Sequence, residues 1–225
     1  MSALTRLARL YETELSDNQK AIETYSKVLA VSETYETYEH LGNCYYRCGK
    51  FREAIEHYKL AITLNCSAFA WKRIAECYEN LKHYDRALNY FELALSLEPS
   101  EELHRRIGTC QIYLENFKAA IRSLRQAVEL QDSAECQSLI ANCYYLLEEY
   151  EMAIEHYQKS IDLDDSNVNT LYNMAICFDQ KEQFLVSRGL YEAVLQLDPT
   201  HTSSLYNLAN IMLVLGKNSE SAALF

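Results

Sequence analysis

Helix breakers are scarce in this chain, with 5 Gly and 2 Pro among 225 residues, and the prolines, Pro99 and Pro199, stand at equivalent places about a hundred residues apart. So few turn formers leave little room for hairpins, strands or long loops, and no Gly/Ser- or Pro-rich stretch marks a linker. Cationic excess is also missing: 21 Lys and Arg face 32 Asp and Glu, a formal charge of −11. That balance argues against nucleic acid and anionic lipid as partners, because both are gripped through surplus Lys and Arg. No run of 18 apolar residues occurs, so no membrane insertion is expected. The opening MSALTRLARLYETEL lacks the apolar core of a signal peptide. The expected compartment is the cytoplasm, where eight cysteines stay reduced, with a nuclear, cytoskeletal or ciliary association as the alternative. Nucleophile elbow, phosphate loop and paired-glycine fingerprint are all lacking, so neither an enzyme nor a cofactor is expected.

What the chain does have is a period. Cys44, Cys77, Cys110, Cys143 and Cys177 are spaced 33, 33, 33 and 34 residues apart. Alignment on them exposes further columns. A small residue lies two places earlier (Gly42, Ala75, Gly108, Ala141, Ala175), preceded by an aliphatic one (Leu41, Ile74, Ile107, Ile140, Met174). An aromatic column follows at the turn (Phe51, Tyr84, Phe117, Tyr150, Phe184), then Ala54, Ala87, Ala120, Ala153 and Ser187. Four residues later stand Tyr58, Phe91, Leu124, Tyr157 and Tyr191. Spacings of three and four put these columns on one helical face, so each unit reads as helix, short turn, helix. The small column lets two backbones approach while the large one fills the space beside them. A period of this size predicts stacked units that bury their faces against one another.

The columns resemble the tetratricopeptide repeat family, a degenerate 34-residue helix-turn-helix motif. Trp71, Ile74, Ala75, Tyr78, Ala87, Phe91, Ala94 and Pro99 fill its eight places, and Tyr38, Leu41, Gly42, Tyr45, Ala54, Tyr58 and Ala61 fill seven. One unit departs, with His104, Gln111 and Leu124 in columns that are usually aromatic. The resemblance implies an all-α, right-handed superhelical solenoid, here a single array over 1–225. Its repeats fall at about 1–34, 35–67, 68–100, 101–133, 134–167 and 168–201, with a truncated seventh at 202–225. That seventh repeat ends in GKNSESAALF, room for a second helix of about eight residues at most, and the chain is expected to be a fragment of a longer protein or a truncated gene product.

Metal and disulfide chemistry are disfavoured on geometry. His40, Cys44 and Cys48 share a helix face, but residues eight apart are separated by about 12 Å along the axis, too far for one zinc ion. Neighbouring helices about 8–10 Å apart likewise keep the cysteine ladder from disulfide bonding. Buried, unpaired thiols are expected instead.

The resemblance implies that the first helix of each repeat lines a concave groove taking a peptide segment of a partner. Its groove places hold Asn43, then Lys72 and Arg73, Arg105 and Arg106, Asn142, Tyr172 and Asn173, and finally Tyr206, Asn207 and Asn210. Two consecutive cation pairs fit a partner with acidic or phosphorylated residues. Asn side chains in register fit a partner's main chain, as in family members with an Asn ladder. Against this, Glu102 and Arg106, Lys72 and Glu76, and Glu36 and His40 are four apart, the spacing of ion pairs on a solvated helix face. The leading expectation is a protein-protein interaction scaffold within a larger complex; the alternative is a regulatory or substrate-docking arm of an enzyme. A chaperone-tail adaptor is disfavoured: after Lys72, the clamp places hold Glu76, Arg106, Glu135 and Leu139 where Asn, Asn, Lys and Arg are wanted.

Overall fold

A computed structural model describes residues 3–216, and all regular structure among them is helical. The chain divides into two compact units, Met1–Leu114 and Glu115–Phe225, each taken by itself. The first holds α1 (Ala3–Thr13), α2 (Asn18–Leu29), α3 (Tyr35–Arg47), α4 (Phe51–Leu64), α5 (Ala68–Asn80), α6 (Tyr84–Leu97) and α7 (Glu101–Tyr113). The second holds α8 (Phe117–Leu130), α9 (Ala134–Leu146), α10 (Tyr150–Leu163), α11 (Val168–Gln180), α12 (Phe184–Leu197) and α13 (Thr202–Val214). The second helix expected for the seventh repeat lies outside the described residues.

Local chemistry sets the helix ends in a repeating way. From α3 onward, each odd-numbered helix opens on a side chain that accepts a first-turn N–H: Thr34, Ser67, Ser100, Ser133, Asn167 and His201. Such a cap is worth about 1 kcal/mol, because first-turn N–H groups have no partner within the helix. The exits are equally regular. Ser16, Gly49, Lys82, Glu115, Glu148, Glu182 and Gly216 all take positive φ, between 51° and 76°. Around Gly49 the bonds Gly49 N to Tyr46 O and Lys50 N to Tyr45 O close a Schellman motif, repeated around Lys82, Glu148 and Glu182.

In the first unit, the ring of Tyr58 runs under α3 against Gly42. A Cβ on Gly42 would lie 2.6 Å from that ring, closer than carbon atoms pack. Tyr25 and Phe91 sit likewise, fully buried, with Ala8, Leu41, Ile74, Ala75 and Ile107 in the surrounding core. In the second unit, Tyr191 packs with Ala175, Leu208, Ile211 and Met212, and Tyr157 is also buried. Burial of each such ring contributes about 1.5–3 kcal/mol. A second aromatic layer joins the two helices of a repeat. His57 stacks between Tyr38 and Tyr45 (6.1 and 5.1 Å), and Tyr90 between Trp71 and Tyr78 (5.6 and 5.4 Å). His156 stacks on Tyr144 at 5.5 Å, its Nδ1 lying 2.8 Å from Gln137 Oε1.

All five ladder cysteines are buried and free of disulfides. Burial pushes the thiols of Cys44, Cys77, Cys143 and Cys177 up to about 12, and raises Cys110 as well. His40 turns away from the cysteines toward Tyr25 and Glu12, while Cys48 faces solvent.

Candidate partner-binding face

Within each unit, odd-numbered helices are cross-linked by polar side chains, and these define a candidate face. In the first unit Ser67 Oγ donates to Glu39 across α5 and α3, and Asn80 Nδ2 donates to Tyr46 Oη. The four expected cations lie there, each already ion-paired within the chain. Lys72 reaches Glu102 on α7 at 2.5 Å, and Arg106 reaches Glu79 on α5 at 3.1 Å. Arg73 pairs with Glu76 at 2.6 Å and Arg105 with Glu101 at 3.3 Å. Two of these pairings cross between helices, so the Lys72–Glu76 and Glu102–Arg106 pairs read from i, i+4 spacing give way to longer-range ones. Arg73 also lies 4.2 Å from the centre of the Tyr46 ring. Burial lifts Glu79 above the usual carboxylate range, against the pull of Arg106.

Asn43 and Asn142 receive buried tyrosines. The Tyr58 hydroxyl donates to Asn43 Oδ1 at 2.7 Å, and Arg73 Nε donates to the same hydroxyl at 3.3 Å. In the second unit Tyr157 donates to Asn142 Oδ1 at 2.5 Å, where Asn173 Nδ2 also donates at 3.3 Å. Tyr191 donates to Asp179, and Asn207 Nδ2 donates to the Tyr191 and Tyr172 hydroxyls at 3.1 and 3.4 Å. Tyr25 follows the same rule in repeat one, donating to Glu12 at 2.8 Å. Burial works to raise Glu12, but His40, Tyr25 and Arg47 outweigh it and hold the carboxyl below its ordinary value.

A rule links two columns: a Tyr on the second helix brings an acceptor on the first, 15 residues earlier at Tyr58 and Tyr157. Where the ring is Phe91, the corresponding Glu76 accepts from Arg73 instead. The residue 15 or 16 places later completes the rule: Arg73 after Tyr58 and Asn207 after Tyr191 reach the hydroxyl, whereas Leu139 follows Leu124. Sequence reading placed Asn43, Asn142, Asn173 and Asn207 on this face but missed their tyrosine partners; aligning the two columns would have found them. Tyr206 is exposed, Asn210 half-buried, and Tyr172 packs its ring 4.9 Å from His201.

Paired helices, small-to-large packing and a polar face on alternate helices define a class of all-α repeat protein. A family model described as tetratricopeptide repeat matches residues 35–65, 68–101 and 134–167, and a second of the same description matches 104–133. Together they span more than half of the chain, which belongs to the tetratricopeptide repeat family. The family fold is a scaffold for protein contacts and generally non-catalytic.

Comparison with curated proteins gives no match. Among solved structures, YrrB, described as a TPR protein with an unusual peptide-binding site, is 22% identical with a TM-score of 0.71; the alignment covers 83% of this chain and 98% of that one. The C-terminal part of a TPR repeat-containing protein from Cytophaga hutchinsonii is 14% identical, TM-score 0.83, covering 97% and 91%. MamA from Desulfovibrio magneticus is 21% identical, TM-score 0.70, covering 74% and 96%. No helix among the described residues is long and apolar enough to cross a membrane.

Proposed function

We propose that the face formed by the odd-numbered helices of each unit captures an extended segment of a partner protein, holding its main chain through side-chain amides. The carrying observation is the fixed direction of Asn43 and Asn142. Each Oδ1 is already used by a buried tyrosine hydroxyl, and among the described residues neither Nδ2 has a partner. Such amides are preorganised donors: they offer N–H groups to main-chain carbonyls without a further loss of rotamer freedom. That YrrB is described as having a peptide-binding site is consistent with this reading.

The cations are part of the proposal in a secondary role. Lys72, Arg73, Arg105 and Arg106 are balanced by Glu102, Glu76, Glu101 and Glu79. An acidic or phosphorylated residue of the partner therefore exchanges with an existing carboxylate, gaining selectivity more than affinity.

Asn142→Asp tests the amide role, because it keeps the acceptor for Tyr157 and removes the donors. Pull-down with mass spectrometry, wild type against Asn43→Asp/Asn142→Asp, should show specific partners lost from the variant at unchanged helicity. An identical partner set would overturn the amide reading. Replacing the four cations by Ala should weaken capture most at low salt; capture that does not change across a salt series would remove the electrostatic part.

A further inference from the structure

Five of the six caps in the odd-helix register, Thr34, Ser67, Ser100, Ser133 and Asn167, use hydroxyl or amide oxygens, which keep their charge at any physiological pH. The sixth is an imidazole. His201 Nδ1 accepts the backbone N–H of Ser204 at 3.2 Å and lies 2.8 Å from Ser204 Oγ. Accepting that N–H requires a lone pair on Nδ1, so the cap exists only on the neutral ring. A proton there would set N–H against N–H. Ser204 Oγ could then accept from the ring, but the backbone N–H would lose its acceptor. The new positive charge would also oppose the positive end of the helix dipole.

We propose that His201 makes the N-terminus of α13 a proton-sensitive latch, closed when the imidazole is neutral and opened by acid. The groups around it act in different directions. Asp198, whose carboxylate accepts from the backbone N–H and hydroxyl of Thr200, favours the charged ring and opposes opening. On α11, the Tyr172 ring lies 4.9 Å from the imidazole and its hydroxyl accepts from Asn207. Asn207, one turn further along α13, donates to the Tyr172 and Tyr191 hydroxyls, so opening of the first turn bears on those two bonds. Any effect on capture rests on the proposed face; the test below does not.

Hydrogen exchange of the segment containing Ser204 and Leu205 is compared in the full-length chain, wild type against His201→Asn, whose amide caps without titrating. The wild-type to variant rate ratio should stay near one at about pH 8 and rise about five- to tenfold at about pH 5.5, the loss of one cap. Because both proteins are read at the same pH, intrinsic exchange and the other histidines cancel. His201→Ser should behave like His201→Asn. A ratio independent of pH, or one that falls on acidification because Asp198 dominates, overturns the latch.

Discussion

Gly42 has no side chain because Tyr58 occupies the place a Cβ would take, 2.6 Å away. Gly42→Ala should lower stability by about 1–3 kcal/mol in denaturant melts, since a rigid buried ring has nowhere to move. The tyrosine hydroxyls make a finer prediction. Tyr157→Phe should cost about 1 kcal/mol, because Asn142 keeps its bond from Asn173. Asn142→Ala should cost more, about 1–3 kcal/mol, because it leaves the buried Tyr157 hydroxyl without its acceptor. In the double variant the two losses should not add, and a double-mutant cycle measures the shortfall. Much of this scale is readable from residue type. Small and large columns declare close packing, whereas a hydroxyl's direction depends on which helix crosses its ring. Asn43 therefore reads equally well as a ligand donor or a tyrosine partner, and the fold shows the tyrosine contact.

Between the two helices of a repeat, the exits place a charged residue where glycine would be unstrained. Lys82, Glu115, Glu148 and Glu182 take φ of 56–61°, in the left-handed region that other residues rarely enter. Glu148→Gly should raise the denaturation midpoint, a gain of up to about 1 kcal/mol after the glycine's greater unfolded-state freedom is subtracted. A lowered midpoint would mean that Glu148 makes a compensating contact. The helix-turn-helix order is legible because apolar columns at spacings of three and four alternate with short polar turns. Two of the ion pairs were not, since Lys72–Glu102 and Arg106–Glu79 join residues 30 and 27 apart. Local spacing offered nearer partners, and the neighbouring helix offered better-placed ones.

At the scale of the whole molecule, acid should act through buried imidazoles. Burial lowers His57 and His156 from their ordinary value, so the native state favours the neutral rings. Their contribution to stability is full above about pH 6.5, the unfolded value, and is lost as pH falls through the lower folded values. Unfolding free energy measured from about pH 7.5 down to pH 5 should decline, and His156→Gln should flatten that decline. The family was legible in the sequence because the same few residue types recur at every turn of the period. The partner was not, because the residues of the proposed face differ from repeat to repeat.

The buried cysteines give this array an internal set of clocks. Cys44, Cys77, Cys110, Cys143 and Cys177 place a shielded thiol in each of α3, α5, α7, α9 and α11, with a second, Cys136, in α9, while Cys48 and Cys66 are open to reagent. A thiol-modifying probe should consume the two open sites at once and each shielded one only when its own helix pair separates. Peptide mapping over time should then rank the opening of the pairs in the unmutated protein. Simultaneous modification of all six shielded thiols would show that the helix pairs open cooperatively.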